Sequence, residues 1–108
     1  MRGRKKLSLK AERRARTRHE EKLGRARERL ARLAPGGEPN RPLDVSSASL
    51  VEPQARSMPC PKCLGACGVI EHAAETREGM RLRIAHVMCK TCGGRRAIYF
   101  RIAGDVLN

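Results

Sequence analysis

The chain has 108 residues, a formal net charge of +13 and only two aromatic side chains, Tyr99 and Phe100. This length allows one small domain with appendages, and so few large apolar side chains argue against a core that is stable without a metal or another cross-link. The basic N-terminal residues contain no apolar run, which predicts neither a secretory signal nor a transmembrane helix. Because glutamates interrupt them, they also do not resemble a mitochondrial presequence, and we expect a reducing, cytoplasmic location that includes nucleoid or ribosome association.

The positive charge is concentrated at the N-terminal end. Residues 1–34 contain 14 Lys and Arg against 4 Glu, residues 35–58 contain 2 against 3 acids, and residues 59–108 contain 8 against 4. Such asymmetry predicts a polyanionic partner: nucleic acid, either DNA or RNA, or a complex that processes it. We expect neither a membrane nor a small-molecule substrate as the partner.

Residues 1–34 are predicted to be a basic helical extension, with a long helix over residues 7–34. Ser8 is a suitable N-cap, and the Pro-Gly-Gly sequence at 35–37 predicts the end of the helix. Gly24 is expected to weaken the middle of this helix by about 1 kcal/mol relative to Ala.

Two faces of this helix carry functional predictions. Leu23, Leu30 and Leu33 follow an a/d spacing, but fewer than two heptads are too short for an independent coiled coil, so these leucines are predicted to dock on a protein partner. The helix arginines are predicted to bind phosphates. They are Arg13, Arg14, Arg16, Arg18, Arg25 and Arg29. The alternative is a solvated, partly frayed helix whose charge only confers solubility.

Residues 35–58 hold four of the six prolines and little apolar sequence, so they are predicted to be a flexible linker. From residue 59 onward the hydrophobic pattern changes to a period of two. It predicts strands at 68–74, 80–88 and 96–103, with a turn at 75–79 between the first two.

Two Cys-x-x-Cys pairs, separated by 25 residues, flank the first two predicted strands. Paired thiolates at this spacing supply the four soft ligands of a closed, tetrahedral structural Zn²⁺ site. The predicted zinc ligands are Cys60, Cys63, Cys89 and Cys92. The fifth cysteine, Cys67, is interpreted as a small packed residue rather than a reserve ligand or redox sensor, and His72 and His86 are interpreted as strand residues.

The sequences Met58-Pro59-Cys60-Pro61-Lys62-Cys63 and Cys89-Lys90-Thr91-Cys92-Gly93 resemble those of the zinc-ribbon superfamily. The ribbons of transcript-cleavage factors and small RNA polymerase subunits are similar over residues 58–103. The resemblance implies a small, metal-stabilised, three-stranded antiparallel ribbon over residues 59–108, and work on the transcription or translation machinery. Cleavage factors carry an adjacent Asp-Glu pair at the hairpin tip. Residues 75–79 lack it, so the resemblance does not extend to that catalytic activity.

A second resemblance is to the cysteine-rich modules of J-domain chaperones. Cys60-x-x-Cys63-x-Gly65 and Cys89-x-x-Cys92-x-Gly94 are similar to them, but those modules come in fours and end in a further glycine. That glycine is replaced here by Cys67 and Arg96, and the J-domain's His-Pro-Asp sequence is absent.

Tyr99 is the basis of a further prediction of nucleic-acid contact. Its ring is expected to stack on an unpaired base while Arg81, Arg83 and Arg101, on the same face, meet phosphates. The alternative is a solvated outer face that Tyr99 merely covers.

No grouping of residues predicts an enzyme. The residue types of the zinc-deaminase sequence pattern occur in this chain as His19-x-Glu21 and Pro59-Cys60-x-x-Cys63. A catalytic zinc, however, keeps one coordination position open for water, and a second cysteine pair would fill that position. The chain is therefore predicted to be a non-enzymatic zinc protein that associates with nucleic acid. The alternative is an adaptor that docks its leucines on a larger machine such as RNA polymerase.

Overall fold

A computed structural model describes residues 8–103, so Leu7 at the predicted helix start and the last residues of the predicted ribbon lie outside the described part. Two helices and four strands follow one another along the chain. They are α1 (Leu9–Leu33), β1 (Leu43–Val45), α2 (Val51–Ser57), β2 (Cys67–Arg77), β3 (Met80–Cys89) and β4 (Arg95–Ile102), with a short 3-10 turn before α2.

Helix α1 begins and ends where its local sequence predicts. The Ser8 hydroxyl accepts a hydrogen bond from the Ala11 N–H at 3.0 Å, which satisfies one of the free donors of the first turn. The chain leaves the helix at Ala34, before Pro35, and Gly36 then adopts a φ of +88° that favours glycine. Within residues 8–103, neither helix has the combination of length and apolarity that crossing a bilayer requires.

The sheet has four strands in the order β1-β4-β3-β2, so the predicted three-stranded sheet is wrong by one strand. The pairs β2–β3 and β3–β4 are antiparallel, as predicted, whereas β1 pairs with β4 in parallel. Asp44 in β1 accepts a hydrogen bond from Arg101 Nε in β4 at 2.8 Å, which fastens the added strand to the edge of the sheet.

The interval 35–58, predicted to be a flexible linker, instead contains β1 and α2. Val51 and Ala55 are one helical turn apart and fully buried against the sheet. Pro53 is tolerated because it lies in the first turn of α2, where backbone N–H groups have no partner within the helix. The high proline content led to the prediction of a linker, although two small apolar side chains are enough to pack this short helix against the sheet.

The core lies on one face of the sheet, under α2. Ala85 is opposite Ile98, and Val87 lies on the same face of β3 as Ala85. The face of β3 that carries Arg81 and Arg83 therefore also packs with Phe100, while Leu82 and Ile84 are buried on the opposite face. The clustered core residues are Val45, Val51, Ala55, Cys60, Cys67, Ala85, Val87, Cys89, Ile98 and Phe100.

The hairpin between β2 and β3 is tighter than predicted. The two strands pair as far as Arg77 and Met80, which leaves only Glu78 and Gly79 in the turn. Both residues have positive φ, +50° and +79°, as in the type I′ turns that match the twist of antiparallel strands.

Candidate metal centre

Two similar turns bring the cysteine pairs together. In the first, the Cys60 N–H donates to the Gly65 carbonyl at 2.9 Å, and in the second the Cys89 N–H donates to the Gly94 carbonyl at 2.8 Å. The Lys90 N–H donates to the Ala66 carbonyl at 2.8 Å, so the second turn is hydrogen-bonded to the end of the first. The sequence repeat thus produces a repeated backbone structure.

Each turn needs one residue in the left-handed region. Gly93 occupies this position in the second turn with a φ of +76°, at no steric cost. In the first turn the position is filled by Leu64, with a φ of +66°, which costs about 1–2 kcal/mol for a residue with a Cβ. The Leu64 N–H donates to the Cys60 carbonyl at 2.7 Å, so the strained residue is held by the turn itself.

The four sulfur atoms form a compact group. The Sγ atoms of Cys60, Cys63, Cys89 and Cys92 all lie within 4.8 Å of one another. The Cys60–Cys92 distance is 3.7 Å and the Cys63–Cys89 distance is 3.3 Å. A tetrahedron with metal–sulfur bonds of about 2.3 Å has sulfur–sulfur edges of about 3.8 Å, so the spacing fits one ion at its centre. The predicted four-cysteine cluster is confirmed.

Backbone N–H groups stabilise the thiolate form of Cys89. Cys89 Sγ accepts hydrogen bonds from the Cys92 N–H at 3.4 Å and the Thr91 N–H at 3.3 Å, and they lower the pKa of Cys89 to about 6. The Gly94 N–H points in the same way at Cys92 Sγ, at 3.4 Å. Since the thiolate is the form that binds metal, the second turn prepares Cys89 for an ion. Cys63 differs: despite a backbone hydrogen bond from Gly65, its contact with Cys89 and its partial desolvation raise its pKa to about 12.

Chemically, this is a closed site. Four cysteines fill all the positions of a tetrahedral ion, and an all-sulfur tetrahedron is typical of zinc or of iron–sulfur chemistry. Cys60 and Cys89 are buried, while Cys63 and Cys92 reach the surface, so the centre lies at one end of the core.

Comparison with protein-family models, curated proteins and solved structures found no match to this chain. The support for a metal centre is therefore the geometry of the cysteines. The zinc-ribbon resemblance stays a prediction.

The other candidate ligands lie outside the cluster. Cys67 is buried opposite Cys89 in the sheet and packs in the core, as interpreted from the sequence. His72 lies in β2, where its Nδ1 is 3.1 Å from Glu52 Oε2, and so links the sheet to α2. His86 is a half-buried residue of β3.

Helix α1 docks on the first cysteine turn, a contact that sequence reasoning missed. Arg27 donates from Nε to the Pro61 carbonyl at 2.9 Å and from Nη2 to the Lys62 carbonyl at 2.7 Å. Gly24 is buried at the same contact, and a Cβ there would lie 2.9 Å from the Lys62 carbonyl oxygen. A lone glycine inside a helical pattern is the one available signal, because it often marks close packing.

The predicted phosphate-binding arginines of α1 fall into two groups. Arg13, Arg14, Arg16 and Arg18 lie within residues 12–23, every one of which is exposed; we call this segment the helical arm. Arg25 and Arg29 lie beyond Gly24, on the part of α1 beside the sheet, where they line a cleft together with residues of β4.

The predicted Tyr99 surface is not formed as expected. Arg83 is opposite Phe100 and Ile84 is opposite Tyr99, so Arg81 and Arg83 lie on the other face of the sheet from Tyr99. A shift of register by one residue reverses the face of every side chain, and no local signal fixed the register here. Arg101 shares the face of Tyr99 but is bonded to Asp44, and the guanidinium over the Tyr99 ring is that of Arg77, 5.8 Å from its centroid.

Leu23, Leu30 and Leu33, which we call the leucine stripe, are exposed by 44%, 66% and 61%. At 3.6 residues per turn, these side chains lie about 100° to 180° around the helix axis from Gly24. Leu23 and Leu30 lie only about 40° to 60° from Arg27, so the stripe borders the docked side of α1, and its exposure shows that the docking leaves it uncovered.

A substitution at Gly65 tests the tight packing of the two cysteine turns. A Cβ at Gly65 would lie 2.6 Å from Thr91 Oγ1 and 3.0 Å from Cys89 Sγ, so Gly65→Ala must displace a ligand. We expect at least tenfold weaker metal binding, measured by competition with a chromophoric chelator. Gly68→Ala is the matched control, because its Cβ would meet only the flexible end of Lys90 at 3.4 Å. Equal metal affinities for the two variants would contradict the described geometry.

Proposed function

We propose that the four cysteines bind one structural Zn²⁺, and that the chain is a non-enzymatic protein that associates with nucleic acid or with a transcription or ribonucleoprotein complex. A site with four thiolate ligands keeps no open position for water or substrate, which favours a structural role for the ion. Thiolate ligands also favour a reducing, cytoplasmic location.

The observation that carries this proposal is the helical arm. Residues 12–23 contain five Lys and Arg against three Glu, and all their side chains are exposed. The ion pairs among residues 8–103 involve none of the arginines of α1. Apart from Ala15 and Leu23 the helical arm is polar, and because none of its side chains is buried it lacks a packing reason to be there, whereas a polyanion would neutralise its charge.

A salt titration with full-length, zinc-loaded protein tests the proposal. We expect labelled RNA or DNA oligonucleotides to bind with an affinity that falls steeply with salt, because each phosphate contact releases counterions. Replacing Arg13 and Arg14 by Gln should lower the slope of log K against log salt by about 0.7 per lost contact for a single strand and about 0.9 for a duplex. The slope is measured by fluorescence anisotropy. Binding that does not depend on salt, or no binding at low salt, would contradict the proposal.

The exposed leucine stripe favours a second candidate, the adaptor that docks on a larger machine such as RNA polymerase. Apolar contacts respond weakly to salt, so this association should persist at high salt and should fail with Leu30→Asp. Under the nucleic-acid proposal, Leu30→Asp should leave the oligonucleotide affinity within about twofold, apart from the small effect of one added charge.

A further inference from the structure

A cleft of about 410 Å³ lies between the second half of α1 and the start of β4. Three arginines one turn apart on α1 form one wall, and two successive arginines of β4 form the other. These are Arg25, Arg29 and Arg32 on α1, and Arg95 and Arg96 on β4; we call the cleft the arginine groove. Gly37, Pro61 and Ala97 also line it. The docking of α1 through Gly24 and Arg27 holds the two walls in place.

The charge in the arginine groove is poorly compensated. Glu28 is the single carboxylate among the lining residues, and none of the five arginines takes part in the ion pairs found within residues 8–103. Arg96 donates from Nη2 to the Pro59 carbonyl at 3.2 Å, but its Nε is buried with no hydrogen-bond partner. Opposed cationic walls repel each other, so a bound anion would relieve the repulsion.

We infer that the arginine groove binds the sugar-phosphate backbone of single-stranded nucleic acid. This inference rests on the proposed association with nucleic acid, and it names the site and the form of the strand. Guanidinium groups match phosphate oxygens with paired N–H donors, and an array of five favours several phosphates in a row over one isolated anion.

The shape of the groove favours one strand over a duplex. Its volume is that of a small-ligand site, which suits one sugar-phosphate backbone better than the full width of a duplex. The lining residues include no aromatic ring, so the groove holds phosphates and does not stack bases. Contacts of this kind position a strand without reading its sequence.

The test compares two double variants with equal charge change in the full-length, zinc-loaded protein. Arg29→Gln with Arg95→Gln removes one exposed arginine from each wall. Arg41→Gln with Arg56→Gln removes two exposed arginines that already pair with Glu38 and Glu52. The probes are a labelled 12-nucleotide oligouridylate, a duplex of the same length, and inorganic phosphate. Stoichiometric zinc and an unchanged melting temperature show that each variant is folded.

For the single strand, we expect the groove variant to bind on the order of tenfold more weakly at 50 mM salt, with a slope lower by about 1.4, while the paired-arginine variant changes little. An equal loss in both variants would overturn the inference, as would an equal loss for duplex and single strand, or tight binding of inorganic phosphate that blocks the oligonucleotide. If the wild type binds oligonucleotides through the helical arm but the groove variant behaves as wild type, this inference fails and the proposed function stands. If the wild type binds no nucleic acid, both fail.

Discussion

Cys89→Ser is expected to remove the metal and with it the folded state of the sheet. Cys89 is buried, belongs to the core cluster, and provides the sulfur to which two backbone N–H groups point. Structural zinc contributes about 10–16 kcal/mol in zinc-finger peptides, which is as large as the whole stability of an ordinary domain. We expect less than one tenth of a zinc ion per chain by elemental analysis, and no cooperative thermal transition by circular dichroism.

Cys67→Ala is the matched control for this variant. Cys67 is also buried and lies directly opposite Cys89 in the sheet, but it lies outside the four-sulfur cluster. We expect it to retain one zinc per chain and to lose only about 1–2 kcal/mol of unfolding free energy for the atom removed from the core. A Cys89→Ser protein that keeps its zinc and its melting temperature would contradict the proposed centre, and iron in place of zinc would contradict the assignment of the metal.

The features predicted correctly from the sequence are those with local signals. The two cysteines of each pair lie three residues apart, so each pair forms within one turn whatever the rest of the chain does. Ser8 and the Pro-Gly-Gly at 35–37 fix the ends of α1 through contacts within one helical turn. The alternation of residues 80–88 predicts a strand for the same reason, whatever its partner.

The features missed depend on contacts between distant residues. The three residues of β1 are too few for an alternating hydrophobic pattern that would predict a strand. They form one because the edge of β4 is free to pair with them. Which face of β3 belongs to the core depends on the pairing of Ala85 with Ile98. The alternating pattern within each strand does not determine this pairing. The arginine groove likewise exists only because Gly24 lets α1 approach the first cysteine turn, 38 residues further along the chain at Lys62.

Gly24→Leu is expected to release α1 from the cysteine turn while leaving the helix itself intact. A Cβ at this position would lie 2.9 Å from the Lys62 carbonyl oxygen and 3.2 Å from Lys62 Cγ, and the backbone oxygen cannot retreat without moving the turn. Leu has a higher helix propensity than Gly by about 0.8 kcal/mol, so any loss of structure cannot come from the helix alone. The separation would break the two hydrogen bonds of Arg27, each worth about 1.5–3 kcal/mol because the donor is charged.

The expected result is amide exchange on the order of a hundredfold faster over residues 25–33, with one zinc still bound per chain. The oligouridylate affinity should fall as it does when Arg29 and Arg95 are replaced, because one wall of the arginine groove has moved away, while the contribution of the helical arm to the salt slope remains. Thr17→Leu introduces the same side chain at an exposed, uncharged position of the helical arm and should change neither measurement. An unchanged rate of amide exchange in Gly24→Leu would mean that α1 is held to the sheet by something other than the contact at Gly24. The arrangement of the two walls of the arginine groove would then not depend on that contact.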